Sequence, residues 1–162
     1  MKKPKDVAVT LVATFFGSGL LPKAPGTAGT VASLPLVALV NMTDSSFRLI
    51  FWTLVIAGGI WAAREYDQLM GSHDNYSIVI VEVAGMGLAA WGAGAEPITL
   101  ILAFIAFRVL DIYKPSPIRQ VDEWSKTQTG TPGAIGVMAD DVIAGIIVAI
   151  AVALLQWVHI LP

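Results

Sequence analysis

Cysteine is absent from this 162-residue chain. Its absence excludes disulfides, thiolate metal sites and cysteine nucleophiles, and leaves the redox compartment unread. Charge is scarce: Asp, Glu, Lys and Arg together make up 14% of the residues, against roughly 25% in a soluble domain. With 56% apolar residues and a mean hydropathy of +0.72, the chain has too little polar surface to wrap a water-soluble core. A disordered chain, a coiled coil and a free cytosolic enzyme are excluded on that ground, and a membrane protein is predicted. Excess basic charge is missing as well. The formal net charge is −2, so nothing is available to neutralise phosphates along a duplex, and no nucleic-acid partner is expected. No internal repeat is visible, which speaks against a transporter built from two similar halves. The length fits one domain, residues 1–162.

Long apolar runs are also few. Five stretches, about 29–42, 47–63, 77–92, 97–110 and 142–160, are apolar enough to cross a bilayer. Only the last approaches the roughly 20 residues a full span needs, so the others require tilt, local thinning or polar extensions. Pro35 interrupts the first, which membrane helices tolerate when neighbours satisfy the freed carbonyl. Residues 7–16 form a ten-residue apolar run after a basic start, Lys2, Lys3 and Lys5. That resembles a signal peptide, but no small-residue cleavage pattern follows, and the run reads as mature sequence forming an interfacial or re-entrant helix. The fold class expected is therefore all-α: a polytopic membrane helix bundle of about five spans plus a short N-terminal interfacial helix. Four spans with residues 29–42 re-entrant is the alternative.

The connections divide into two kinds. Residues 41–46 and 93–96 are tight turns; residues 17–28, 64–76 and 111–141 are longer polar loops. Lys2, Lys3, Lys5, Lys23, Arg64, Lys114, Arg119 and Lys126 all fall on the side of the long loops, with Arg48 alone at the opposite boundary. Basic loops stay cytoplasmic, so the N-terminus is expected inside and the C-terminus outside. All the Gly/Pro-rich and acid-rich segments then gather on the cytoplasmic face.

Acids are few, and several stand at membrane boundaries. Glu82 lies in an apolar helix. Arg108 and Asp111 share a helix face at i, i+3. Asp140 and Asp141 precede the last helix. A charge at the centre of a span costs roughly 2.5–3.5 kcal/mol on insertion scales, so such acids earn attention as a shared site. Each also has a plainer reading: Asp140 or Asp141 as a helix N-cap worth about 1 kcal/mol, Arg108–Asp111 as an intrahelical ion pair, Glu82 as a hydrogen-bond partner of a neighbouring helix. Carboxylates converging without His or Cys suit a hard cation; Mg²⁺ takes oxygen ligands, keeps several waters and is usually shared with substrate phosphates.

Two further segments carry candidates. Residues 17–30, with Gly17, Gly19, Pro22, Lys23, Pro25, Gly26, Thr27 and Gly29, could turn backbone N–H groups and a helix N-terminus toward an anion, or could simply be a turn. In residues 108–122 the prolines end a helix and leave Lys114 and Arg119 at headgroup level, as a phosphate clamp or as membrane anchors. His73-Asp74 reads as a solvated loop and His159 as interfacial. Ser18 and Thr27 lack a partner base.

Four blocks, taken together, resemble the bacterial phosphatidylglycerophosphatase A family. They are residues 17–30, with Pro22, Pro25-Gly26-Thr27 and Gly29; residues 77–86, with Glu82, Gly85 and Met86; residues 107–118, with Phe107-Arg108, Asp111, Lys114-Pro115 and Pro117; and residues 136–145, with Gly136, Met138, Asp140-Asp141 and Ala144-Gly145. They occur in the family's order and cover nearly the whole chain. The resemblance implies a multi-pass phosphatase of the bacterial cytoplasmic (inner) membrane. It would hydrolyse phosphatidylglycerophosphate to phosphatidylglycerol and phosphate with Mg²⁺, its active site facing the cytoplasm. Carried onto this chain, Glu82, Asp140 and Asp141 would hold Mg²⁺, with Asp111 a further candidate, and Asp111, Asp140 and Glu82 would be the catalytic acids. Lys23, Gly26, Thr27, Arg108, Lys114 and Arg119 would bind the substrate. Either Asp140 or Asp111 could instead be a nucleophile. The chain departs from the family pattern where Val81 stands in place of the acid before Glu82, and residues 130–136 are less regular than the family's Gly-Gly-x-Gly. An impaired variant that binds lipid phosphate and Mg²⁺ without turnover, and a small cation transporter or channel, are the competing expectations. Oligomeric state is not readable.

Overall fold

The computed structural model describes residues 4–161; Lys2 and Lys3 of the basic N-terminus lie outside them. Seven α-helices follow in order: α1 Pro4–Ala13, α2 Pro25–Asn41, α3 Ser45–Met70, α4 Ile80–Ala89, α5 Pro97–Tyr113, α6 Ile118–Lys126 and α7 Gly130–Trp157, with a 3₁₀ turn at Ser18–Leu20. No strand occurs among the described residues.

Local chemistry sets the helix ends. Asp44 opens α3 by accepting from the backbone N–H groups of Ser46 (2.9 Å) and Phe47 (3.0 Å), and Gly71 closes it at φ 64°. Pro25 and Pro97 occupy the first turns of α2 and α5, where no intrahelical N–H is lost. Glu96 caps α5 by accepting from Thr99 N–H at 3.0 Å.

Among the described residues, α3 and α7, with 26 and 28 residues, are the two helices long and apolar enough to cross a membrane. α2 and α5 have 17 residues each. α4 has only ten, about 15 Å of helix, and nearly every residue of it is buried. It stands at the centre, packed most extensively on α7 and then on α2 and α3. Small residues permit this: Gly87 lies against the Trp52 ring of α3, and Gly85 against Phe107 of α5. The outside of the bundle is apolar, with Leu49, Ile50 and Leu54 of α3, Ile98, Ile101 and Ile105 of α5, and Ile146, Ile150 and Leu154 of α7 all exposed. Continuous apolar exposure of this kind suits lipid contact rather than water.

The C-terminal end of α4 is closed by three neighbours. Asn41 Nδ2 donates to Ala90 O (2.7 Å), Arg48 Nη1 to Trp91 O (2.8 Å) and Gln156 Nε2 to Gly92 O (3.1 Å). Carbonyls of the turn that follows α4 thus accept from α2, α3 and α7.

Two expectations change. Residues 111–141 are not one loop: they contain all of α6 and the first twelve residues of α7. Asp140 and Asp141 therefore lie three turns inside α7 and do not cap it. The reason lies in residues 130–136. Pro132 falls in the first turn, where proline is tolerated, and Gly136 lets α7 pack on Ser125 of α6, where a Cβ would collide.

Candidate active site

One end of the bundle collects the N-termini of α2 and α4, the C-terminus of α5, α6, and the first half of α7. The crossing of α4 and α7 fixes its floor. A Cβ on Gly145 would run into the carbonyl oxygen of Gly85, and one on Gly85 would stand 2.8 Å from Asp141 O. Glu82 is one turn before Gly85 and Asp141 one turn before Gly145, so close backbone approach brings the two carboxylates to the same place. α2 closes a side in the same manner. A Cβ on Gly26 would strike Glu82 Oε1, so the first turn of α2 lies with bare backbone against the acid. Gly19 and Gly29 likewise sit against Ser77 and Val79; Gly19, Gly26 and Gly29 serve close packing on α4 and its entrance, whereas Gly17 serves a turn at φ 91°.

The cavity so formed has a volume of about 300 Å³. Gly26, Val81, Glu82, Arg108, Asp111, Lys114, Asp140 and Asp141 all line it, together with Asp74, Asn75 and Tyr76 of the α3–α4 connection and Asp122 and Ser125 of α6. Arg108 pairs with Asp111 and donates through Nη2 to Thr27 Oγ1 (3.2 Å) and through Nη1 to Thr30 Oγ1 (3.5 Å), tying α5 to α2. Lys114 pairs with Asp140 and donates to Asp122 Oδ1 at 2.9 Å. Asp140 Oδ1 accepts from Asp141 N–H at 3.0 Å. Burial works against the Lys114 charge, but Asp140 and the Asp122 hydrogen bond outweigh it and hold the ammonium above its ordinary range. Burial pushes the Asp122 carboxyl up, and bonds from Lys114 and Lys126 more than reverse this, leaving it below the usual value.

Three buried polar atoms at the site have no protein partner: Glu82 Oε2, Asp141 Oδ1 and Arg108 Nε. An unpartnered buried carboxylate oxygen is costly, and here two stand on facing helices. The lining holds six carboxylates against two cations, Arg108 and Lys114, an excess that would repel a phosphate. A hard divalent cation fits both observations. Among the described residues no group of three or more His, Cys, Asp or Glu side chains is placed to hold a metal ion. An ion held by Glu82 and Asp141 would need water and substrate oxygens to complete its shell, as Mg²⁺ commonly does.

Of the sequence candidates, Glu82, Asp111, Asp140, Asp141, Arg108, Lys114 and Gly26 meet at the cavity, with Thr27 behind it on Arg108. Lys23 and Arg119 are exposed, on the turn before α2 and on the first turn of α6, and do not line it. His73 bonds Ser125 O at 3.1 Å outside the lining. Val81 lines the cavity and is 3% exposed. Sequence reasoning took Asp74 as part of a solvated loop, though it lines the cavity, and missed Asp122 and Ser125. Their signal was present in the spacing of Ile118, Asp122 and Ser125 at i, i+4, i+7, the buried face of an amphipathic helix.

Fold and site together define a class: an all-helical bundle, apolar on its outside, with a carboxylate-rich cavity at one end suited to a cation and an anionic group. The model of one family, phosphatidylglycerophosphatase A, matches residues 11–156. The chain is 38% identical over 151 residues to the phosphatidylglycerophosphatase A of Haemophilus influenzae, covering 92% of this chain and 89% of that one. It is 35% identical over 140 residues to that of Escherichia coli, covering 86% and 78%. A Bacteroides thetaiotaomicron protein provisionally named phosphatidylinositol-3-phosphatase is 34% identical over 168 residues, covering 98% and 99%. No solved structure matches. The chain belongs to the phosphatidylglycerophosphatase A family.

Proposed function

We propose that this chain hydrolyses the terminal phosphate of phosphatidylglycerophosphate, giving phosphatidylglycerol and inorganic phosphate, with Mg²⁺. The observation that carries this reading is the pair of unpartnered buried oxygens, Glu82 Oε2 and Asp141 Oδ1, on two residues that line the same cavity as Arg108 and Lys114, in a chain of this family. Glu82 and Asp141, with Asp140 beside them, would hold the ion. Bound there, Mg²⁺ supplies charge neutralisation at the phosphate and a lowered pKa for water.

The residues divide the remaining work. Arg108 and Lys114 hold the phosphate oxygens and meet the charge that develops on them. The first turn of α2 adds N–H groups that have no intrahelical partner. In the overall balance, water oxygen bonds phosphorus, the glycerol oxygen leaves, and a proton passes from the one to the other; Asp111 and Asp140 are the lining carboxylates available to carry it. Acyl chains stay in the bilayer, and only the headgroup enters. We read α3 and α7 as full crossings of the bacterial inner membrane, α2, α4 and α5 as three shorter ones completed by tilt and by their non-helical ends, α1 as interfacial, and the cavity as opening to the cytoplasm. The basic residues Lys5, Lys23, Arg64, Lys114, Arg119 and Lys126 support that orientation.

The test is phosphate release by the detergent-purified chain, with Mg²⁺ or chelator, beside Val81→Asp. Phosphatidylinositol 3-phosphate serves as a second substrate, since one relative bears that name. Chelator-sensitive release by both chains supports an enzyme for which position 81 is dispensable. Release only from Val81→Asp supports the site and makes this chain the impaired variant, which binds Mg²⁺ and lipid phosphate without turnover. No release from either, with the protein folded, sinks the reading.

A further inference from the structure

Asp122 is an acid that the chemistry above does not use, yet it lines the cavity and is buried in a short helix. α6 presents Ile118, Asp122 and Ser125 inward; Ile118 and Ser125 are both 1% exposed, and Ser125 is locked against Gly136 of α7. The Asp122 carboxylate is therefore fixed by packing on both sides. Its two oxygens are divided: Oδ1 accepts from Lys114 at 2.9 Å and Oδ2 from Lys126 at 2.6 Å.

Lys114 needs such a partner. It ends α5 in the left-handed region, φ 43°, and its ammonium sits on a flexible four-carbon stem that imposes no geometry. Asp140 alone would leave the head free to swing about one contact. Asp122 and Asp140, held on α6 and α7, fix it from two directions. An ammonium has three donors; these two bonds leave one for a phosphate oxygen.

We propose that Asp122 is a positioning residue: it holds Lys114 against Asp140 at the cavity wall so that the remaining Lys114 donor meets the substrate phosphate. The inference rests on the phosphatase reading of the cavity. Asp122 itself, an anion, does not touch the phosphate.

The experiment is a double-mutant cycle on phosphate release from phosphatidylglycerophosphate micelles with Mg²⁺. It uses the full chain, or its Val81→Asp version if only that turns over. Asp122→Asn lowers kcat/KM by roughly ten- to a hundredfold, the scale of a displaced contact at a reacting centre, while Asp122→Glu restores most of it. In a Lys114→Met background Asp122→Asn has no further effect. Glu123→Gln, on the exposed face of α6, stays within about twofold of its parent, as an exposed substitution should. Thermal midpoints run alongside; should Asp122→Asn not fold, Asp122→Ser replaces it in the same cycle. Equal losses with and without Lys114, or no rescue by Glu, overturn the assignment and make Asp122 a purely structural residue. A parent that turns over with an additive cycle sinks only this inference. Parents that release no phosphate at all sink the phosphatase reading, and the inference falls with it.

Discussion

The crossing of α4 and α7 makes the sharpest prediction, because it ties a residue that touches no substrate to the geometry of the site. Gly145→Ala adds one methyl group, whose carbon would overlap the carbonyl oxygen of Gly85. The obstacle is backbone within a helix, not the end of a flexible side chain, so the two helices must part. Relief to ordinary contact, 3.4 Å or more, needs about 1 Å of separation, a misplacement that costs up to about a hundredfold in rate when it reaches a catalytic centre. Overpacking costs about 1–3 kcal/mol, which outweighs the gain of about 0.5–1 kcal/mol that alanine brings to a helix interior. Glu82 and Asp141 move apart with the helices. A lowered thermal midpoint in detergent and a ten- to hundredfold fall in phosphate release are the expected results. Gly58→Ala in α3 is the control: a Cβ there meets nothing within 4 Å, so stability holds or rises and the rate is unchanged. A Gly145→Ala protein with the parent's midpoint and rate would refute the claim that this contact sets the distance between the two acids.

Three other outcomes follow from the same geometry. Glu82→Gln and Asp141→Asn each replace a buried carboxyl group that has one oxygen without a partner, so both abolish turnover while leaving the thermal midpoint unchanged or higher without metal; Mg²⁺ raises the midpoint of the parent and not of the variants. Asp122 has a folded-state pKa depressed by its two lysines, so its stabilisation is complete above the unfolded value of about 3.9 and is lost as pH falls through the lower folded value. The stability gap between the parent and Asp122→Asn in chemical unfolding is therefore full at pH 7 and narrows as pH falls below about 4; a gap that does not narrow with acid contradicts it. Asn41→Leu removes one of the two donors of Ala90 O at the far end of α4, leaving the Ala93 N–H at 2.9 Å, and costs about 0.5–1.5 kcal/mol with no change in the rate per folded molecule.

Much of the site was legible because its chemistry is written in residue types that an apolar chain cannot place carelessly. Glu82, Arg108, Asp111, Asp140 and Asp141 stood out as charges in or beside membrane-length runs, and the structure gathers all five at one cavity. Lys23 and Arg119 were expected there on the same logic but are exposed outside the lining; a charge in a polar segment carries no such constraint, since water can hold it anywhere. α6 was missed because it is polar overall, and its single buried face shows only when Ile118, Asp122 and Ser125 are read at helical spacing. The start of α7 was placed late because Gly130, Pro132, Gly133 and Gly136 read locally as a loop. Their helical state comes from packing on α6, a tertiary cause that overrides propensity. The glycines of residues 17–30 were read as turn or anion loop, whereas at Gly19, Gly26 and Gly29 the reason is a neighbour that only the folded chain supplies.

The depth of the cavity follows from the shortness of α4. Its neighbours α2 and α5, with 17 residues each, are about 25 Å long, and α4 about 15 Å, so roughly 10 Å of the bundle's centre is left without helix. Which end is left open is decided by anchoring. Asn41, Arg48 and Gln156 hold the C-terminal carbonyls of α4 at the opposite end, and Arg48 also places its guanidinium 5.5 Å from the centre of the Trp91 ring. The shortfall therefore falls at the N-terminus, above Glu82. What stands there is the irregular backbone of residues 74–79 and the bare first turn of α2, with the cavity between them. The helix dipole agrees with this arrangement: the N-terminus of α4 favours the negative Glu82 and its C-terminus the positive Arg48. In the membrane placement proposed above, non-helical backbone is tolerated only where protein buries it or it lines a wet cavity; Asp74, Asn75, Tyr76 and Ile78 line the cavity and Ser77 and Val79 are buried. A full-length central helix would give a more regular bundle, but it would fill the space in which Glu82, Asp141, Arg108 and Lys114 meet.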